Sequence, residues 1–245
     1  MLVTAEGAFR VDVDAALPEA RLELLDQRGI DVALVSLQAT LEPTDDVVDA
    51  YHEGIAEVAN GRFRPLAYGR VVDGFAGVSL PARDLLAPER VAPLLDELER
   101  RSQLLFVHPG AGSGGDGPPW WCPVVEYTAQ MQASYAAWLW EGVERWPRLR
   151  VLFALLAGGA PFQLERLAGR GIELRDAVSA DVYLDTSSYG PRALEFCLSV
   201  YGVERLVHGS DAPVRDPEES LGVIRSFGDN ISALLLSQNP TGLLA

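Results

Sequence analysis

The chain has 245 residues, of which 48% are hydrophobic and 22% charged, and its formal net charge is −15. This acidity argues against nucleic acid and anionic membranes as partners, because both require a positive protein surface. No apolar run reaches the roughly 18 residues that span a bilayer, and no basic leader precedes an apolar segment, so we expect a cytoplasmic protein. The chain contains no lysine, which excludes a lysine Schiff base and a P-loop lysine.

Apolar strand-like runs alternate with amphipathic helical stretches from one end of the chain to the other. The strand candidates are Leu2–Ala5, Asp31–Leu37, Phe63–Val71, Gly77–Leu80, Leu104–Val107, Arg150–Leu155, Val182–Asp185 and Arg205–Val207. The helix candidates are Pro18–Arg28, Asp45–Asn60, Pro88–Arg101, Glu126–Arg145, Phe162–Arg170 and Pro191–Tyr201. Continuous apolar strands followed by helices predict an α/β protein, a single compact (β/α)8 TIM-type barrel over residues 1–245. The alternative is a doubly wound open sheet, which more often has a Gly-rich turn after its first strand.

Polar side chains close two of these predicted strands. His108 follows Leu104–Val107, and Asp211 comes shortly after Arg205–Val207. The carboxyl ends of parallel strands are where α/β barrels hold their catalytic groups. An imidazole and a carboxylate at this rim form an acid/base pair or part of a metal site. The alternative for Asp211 is a capping or turn role, which aspartate also favours.

The segments around these residues resemble metal-dependent amidohydrolases of the decarboxylase/hydrolase type, which include aminocarboxymuconate-semialdehyde decarboxylase-like enzymes. The matching segments, in chain order, are Leu105–Pro109, Ala157–Phe162 with Glu165 and Arg166, Val182–Ser187, Arg205–Pro213, and Asn239 with Pro240. The resemblance covers nearly all of the chain. It implies a (β/α)8 barrel whose metal is held by a His-x-His after the first strand, histidines after the fifth and sixth, and an aspartate after the eighth.

Only part of this ligand set is present. His108 and Asp211 match, whereas Glu6 and Ala8 stand at the first-strand histidines, and Leu155 or Leu156 stands at the sixth-strand histidine. Glu6, His108 and Asp211 are therefore the candidate ligands for a single divalent ion, zinc or manganese. One imidazole in place of four binds such an ion weakly, so the residues favour no cofactor, with His108 and Asp211 as an acid/base pair.

Further residues at predicted strand ends are candidates for binding the substrate. They are Gln38, Arg70, Ser187, Ser188 and Tyr189. The fork of Arg70 suits a carboxylate. Trp120 and Trp121 close the glycine-rich loop Gly110–Pro119, which we expect to cover the mouth of the barrel.

The sequence thus predicts an amidohydrolase-like enzyme, a hydrolase or a carbon–carbon lyase of the decarboxylase type, which acts on a small organic acid. The partner is a small-molecule substrate, and a homodimer is expected because twofold dimers are common. The alternative is a catalytically inactive barrel that serves as a ligand-binding or scaffold protein. The losses at Ala8 and Leu155 motivate that alternative.

Overall fold

Seven parallel strands form the framework of the molecule. The computed structural model describes residues 2–4 and 7–9 by their backbone, and residues 14, 17–59, 61–113, 117–171, 181–212 and 214–245 in full. The strands of the main sheet are β3 (Ala33–Ser36), β4 (Phe63–Tyr68), β5 (Gly77–Pro81), β6 (Leu104–His108), β7 (Val151–Phe153), β8 (Val182–Asp185) and β9 (Leu206–Val207). They pair in chain order, each parallel to its neighbours, as expected when helices connect successive strands.

Helices follow most of the strands. The α-helices are α1 (Pro18–Arg28), α2 (Asp45–Val58), α3 (Ala92–Arg101), α4 (Tyr127–Ala137), α5 (Val143–Arg145), α6 (Leu164–Ala168), α7 (Pro191–Tyr201), α8 (Pro217–Arg225), α9 (Asp229–Ala233) and α10 (Asn239–Leu244). Wider π-helical turns at Cys122–Glu126, Trp138–Gly142 and Leu234–Gln238 adjoin α4, α5 and α10. Among the residues described, no helix is long and apolar enough to cross a bilayer.

The first predicted barrel strand departs from the expectation. Leu2–Thr4 (β1) pairs antiparallel with Gly7–Phe9 (β2), with Thr4 opposite Gly7, and neither joins the main sheet. This local pairing closes a very short loop, which costs little chain entropy. In the described part of the chain no strand connects the two sheet edges, β3 and β9. Seven of the eight expected parallel strands are therefore present in a barrel-type sheet.

Side chains alternate between two faces of this sheet. One face packs against the helices in the larger core, which includes Leu105, Val107 and Phe153. The other, called the inner face here, carries a smaller apolar cluster: Leu66, Leu104, Leu152, Tyr183, Val207 and, from α10, Leu243. Because alternate residues of a strand share a face, His108 lies on the inner side with Leu104, and Asp185 lies there with Tyr183.

Candidate active site

A cavity of about 750 Å³ opens on the inner face of the sheet. Its apolar wall includes Leu66, Phe106, Leu152 and Val207. Its lining also includes three titratable side chains from the carboxyl ends of three strands: His108, Asp185 and Asp211. The cavity therefore combines an apolar interior with titratable groups at the rim where α/β enzymes hold their catalytic residues.

The ring of His108 is held in one tautomer. Its Nδ1 lies 3.0 Å from the carbonyl oxygen of Pro109, which can only accept a hydrogen bond. Nδ1 therefore carries the proton, and Nε2 keeps its lone pair. Burial lowers the pKa of His108, against the opposing effects of the Pro109 carbonyl and the Asp211 carboxylate. A neutral imidazole with an available Nε2 is suited to act as a base near neutral pH.

The Asp211 carboxylate is held by a serine of the neighbouring strand end. The hydroxyl of Ser188 donates a hydrogen bond of 2.8 Å to Oδ2 of Asp211. Both residues adopt left-handed backbone angles, with φ of 65° at Ser188 and 59° at Asp211. The Asp211 carbonyl also accepts a bond from the Arg215 amide, at 3.1 Å. The Ser188 bond fixes the carboxylate at the rim, and among the described residues no donor bonds its second oxygen.

Asp185 also lines the cavity, although it is not among the candidate residues that the sequence indicates. It ends β8 as His108 ends β6, and it is only 7% exposed. Its Oδ1 accepts three bonds: from the Leu155 amide (3.1 Å), the Ser187 amide (2.9 Å) and the Ser187 hydroxyl (2.5 Å). Burial raises the pKa of Asp185 to about 6, against the lowering effect of these donors. The sequence feature that could have identified Asp185 is an acidic residue at the end of an apolar strand.

Backbone strain is concentrated at this rim. Of the seven non-glycine residues with positive φ in the described ranges, five follow β7, β8 or β9: Leu155, Leu156, Ala157, Ser188 and Asp211. With Gly158 and Gly159, the first three form a left-handed turn over Leu155–Gly159. Each such non-glycine residue costs about 1–2 kcal/mol. Strain of this kind clusters at functional sites, where surrounding contacts impose it.

The other predicted substrate-binding residues occupy different surroundings. Gln38 lines the cavity beside Ser36. Tyr189 lines a smaller neighbouring pocket of about 80 Å³. Arg70 forms an ion pair with Asp49, and its Nη2 lies 3.2 Å from Nδ1 of His52. Glu6, the third candidate metal ligand, lies outside the described residues.

The described parts of the glycine-rich loop are tied to the helix that follows it. The amide of Gly110 donates to Oε1 of Gln130 at 2.9 Å. Glu126 accepts bonds from the Ser113 amide (2.7 Å) and from Nε1 of Trp121 (3.0 Å). Trp120 and Trp121 are 54% and 43% exposed. Residues 114–116 lie outside the described part, so the expected cover over the mouth stays a prediction.

The described residues do not fit a resident metal ion. Among them, no group of three or more His, Cys, Asp or Glu side chains is placed to hold one. Oδ1 of Asp185 is occupied by three protein donors, and hydrocarbon stands at Leu155. A divalent ion requires several converging ligands, and this set offers one imidazole and at most two available carboxylates.

The fold is that of an α/β protein with a barrel-type sheet, and its candidate site lies at the carboxyl ends of the strands. No family model matches the sequence. Solved structures match it over nearly the full chain. An amidohydrolase II has a TM-score of 0.82 and 18% identity, over 98% of this chain and 91% of the other. A 2,6-dihydroxybenzoate decarboxylase from Rhizobium has a TM-score of 0.76 and 16% identity, over 100% and 95%.

A third match is a dihydroxybenzoic acid decarboxylase from Polaromonas, solved with bound manganese and the inhibitor 2-nitroresorcinol. Its TM-score is 0.70 and its identity 14%, over 93% of this chain and 86% of the other. The expected resemblance to amidohydrolase-type decarboxylases is thus confirmed in the fold. At these identities the likeness extends to the fold alone, because one fold carries many chemistries.

Proposed function

We propose that this protein is a carbon–carbon lyase of the decarboxylase type that acts on a small hydroxylated aromatic acid without a resident metal. The observation that carries the proposal is the placement of His108 and Asp211 on one cavity at the carboxyl ends of β6 and β9. The names of the solved neighbours, decarboxylases of dihydroxybenzoic acids, support the choice of substrate class. Among the described residues, a donor set with a single imidazole argues against a tightly bound metal.

The cavity suits a single-ring acid. Its volume of about 750 Å³ lies in the ordinary range for small-molecule sites, and Phe106 and Leu152 offer apolar contact to a ring. A carboxylate substrate needs a cation, because the protein carries a net charge of −15. Arg21 of α1 lines the cavity, and within the described ranges its guanidinium has no ion-pair partner. Arg21 therefore binds the substrate carboxylate, a role that the sequence suggested for Arg70.

His108 and Asp211 act on the ring hydroxyl. Nε2 of His108 accepts the hydroxyl proton, which increases electron density on the ring and favours protonation of the carbon that bears the carboxylate. The Asp211 carboxylate stabilises the imidazolium that forms, since its charge opposes the lowering of the His108 pKa by burial. Gln38 contributes an amide to orient the acid. His108 returns the proton to the phenolate after carbon dioxide leaves.

The test is turnover of a panel of mono- and dihydroxybenzoates, with released carbon dioxide measured by mass spectrometry. We expect His108→Ala to lower kcat by about 100-fold or more, as loss of a general base does. Arg21→Gln should raise KM with little effect on kcat, because it removes binding in the ground state. Arg192→Gln is the matched control, since its side chain is 94% exposed in a surface pair with Glu195.

Two results would contradict this proposal in different ways. If Arg70→Gln raises KM and Arg21→Gln does not, Arg70 holds the carboxylate. If no acid in the panel is turned over but one raises the melting temperature, the protein is a ligand-binding barrel without this activity.

A further inference from the structure

The Asp185 carboxyl group is buried in the wall of the candidate active site. It lies on the inner face at the end of β8, and its residue is 7% exposed. All three of its hydrogen bonds, from Leu155 and Ser187, go to Oδ1. Among the described residues no donor bonds Oδ2. The group thus presents one anchored oxygen and one oxygen without a protein partner.

The surrounding backbone is adapted to this carboxyl group. A Cβ atom at Gly209 would lie 2.7 Å from Cγ of Asp185, so glycine is required there to leave room for the carboxyl. On the other side, Leu155 adopts φ of 57°, and its amide donates to Oδ1. Left-handed angles are costly for leucine. A strained turn and a glycine therefore both serve to hold one buried acid.

Among the residues that the structure describes, no cation compensates this carboxyl. The structure shows no ion pair between Asp185 and a described Arg or His side chain, and the charged group that acts on it is Asp211, across β9. Burial and this like charge raise the pKa of Asp185 to about 6. The carboxyl therefore holds a proton in mildly acidic solution, and the anchored Oδ1 leaves Oδ2 to carry it.

We infer that Asp185 is the catalytic acid of the proposed decarboxylation, delivering a proton from Oδ2 to the ring carbon that bears the carboxylate; this role rests on the proposed function. The proton forms a C–H bond using a pair of ring π electrons. The C–C bond to the carboxylate then breaks, its electron pair restores the aromatic ring, and carbon dioxide leaves. Asp185 remains as a carboxylate and regains its proton from water.

The pH profile of kcat separates this role from a structural one. For the wild type, kcat should fall as the pH rises through about 6, because only protonated Asp185 donates. Asp185→Asn keeps an acceptor for the Leu155 and Ser187 donors but has no acidic proton, so we expect a loss in kcat of about 100-fold or more with little change in KM. Circular dichroism of the variant checks that it folds.

Ser187→Ala is the conservative probe of the same group. It removes a donor that lowers the pKa of Asp185, so the alkaline limb of the pH profile of kcat should move to higher pH. Gly209→Ala should displace the carboxyl and lower kcat. Gly222→Ala, where a Cβ meets nothing within 4 Å, is its matched control.

The outcomes distinguish the two proposals. Wild-type turnover with an unchanged kcat and pH profile in Asp185→Asn would show that Asp185 is structural, and the proposed function would stand. Absence of turnover of the whole panel by the wild type would overturn the proposed function and the donor role with it. An infrared difference spectrum between wild type and Asp185→Asn reads the protonated carboxyl directly. A carboxylate ionised from pH 5 upward would overturn the donor role regardless of turnover.

Discussion

At the residue scale, burial of the Asp185 carboxyl lowers the free energy of unfolding at neutral pH. Its pKa is about 6 in the folded protein and near 3.8 when exposed, so the folded state binds more protons between these values. The free energy of unfolding therefore decreases as the pH rises through this window. Asp185→Asn removes that penalty and keeps the acceptor oxygen.

We accordingly expect Asp185→Asn to be more stable than the wild type at pH 7.5, by on the order of 2 kcal/mol. The gain should decrease as the pH falls through about 6 and be lost below the unfolded pKa of 3.8. Urea unfolding at several pH values measures it. A variant that is less stable at pH 7.5 than at pH 4, relative to wild type, would mean that the ionised carboxylate is favoured by its surroundings.

His208 contributes the opposite pH dependence. Its Nε2 lies 2.8 Å from the Ser220 hydroxyl, which itself donates to the Pro217 carbonyl, so Nε2 carries the proton. Burial lowers the pKa of His208 from 6.5 to about 4. The unfolded chain binds a proton first, so stability is lost as the pH falls from 6.5 towards 4. His208→Gln, which can still donate to Ser220, should show a smaller loss of unfolding free energy over this interval. An equal loss in both proteins would place the effect elsewhere.

Two of the three rim residues could be predicted from the sequence. His108 and Asp211 each follow a continuous apolar run, and strand ends are informative in parallel α/β proteins. Asp185 also ends such a run, but its functional signal is the burial of its carboxyl group, which depends on Leu155 and Gly209 from other elements. Arg21 could not be predicted, because no helix position reveals by itself that it borders a cavity between sheet and helix.

At the scale of elements, the left-handed turn Leu155–Gly159 is the feature that most affects the site. Gly158 has φ of 65°, and a Cβ there would lie 2.4 Å from the Thr128 carbonyl oxygen. Gly29 after α1 has the same φ, and a Cβ there meets nothing within 4 Å. The two glycines therefore share the backbone strain of an alanine substitution and differ only in packing.

We expect Gly29→Ala to destabilise the protein by about 1 kcal/mol and Gly158→Ala by about 1–3 kcal/mol more, because the added methyl overpacks against α4. Chemical denaturation of both variants gives the difference directly. Equal losses would indicate that α4 moves away from the turn without cost.

Helix boundaries could be predicted where proline and glycine mark the ends of a helix. Helices α1 and α7 were predicted with their observed bounds, since each begins with proline and is followed by glycine. The strand predicted as Arg150–Leu155 instead ends at Phe153. Leucine disfavours left-handed backbone angles, so the local sequence does not predict the turn at Leu155–Gly159. Its conformation is accompanied by long-range bonds to Asp185 and Ser187, which a sequence pattern does not contain.

At the scale of the whole molecule, the parallel order of seven strands could be predicted because a helical pattern separates most successive apolar runs. The exception is the short connection between β4 and β5, which contains no helix. The position of Leu2–Thr4 could not be predicted, since this strand pairs with Gly7–Phe9 only a few residues away instead of joining the main sheet. Short-range pairing competes with long-range closure through its lower entropic cost. The same segment contains Glu6 and Ala8, which stand at the expected first-strand ligand positions, so its placement also affects metal binding.

Metal binding is also a property of the whole molecule, because its candidate ligands come from strands that are distant in sequence. A metal that binds only the folded state raises the melting temperature, and its removal lowers it. Because the described residues place no three ligands together, we expect protein purified without added metal to carry well under one equivalent, and chelator to leave its melting temperature unchanged. Metal analysis and thermal unfolding, with and without manganese or zinc, measure both quantities.

His208→Ala serves as the control for His108→Ala, because His208 bonds Ser220 on α8. Stoichiometric metal that survives dialysis, is lost in His108→Ala and is kept in His208→Ala would establish a metal site completed by residues beyond those described, Glu6 first among them.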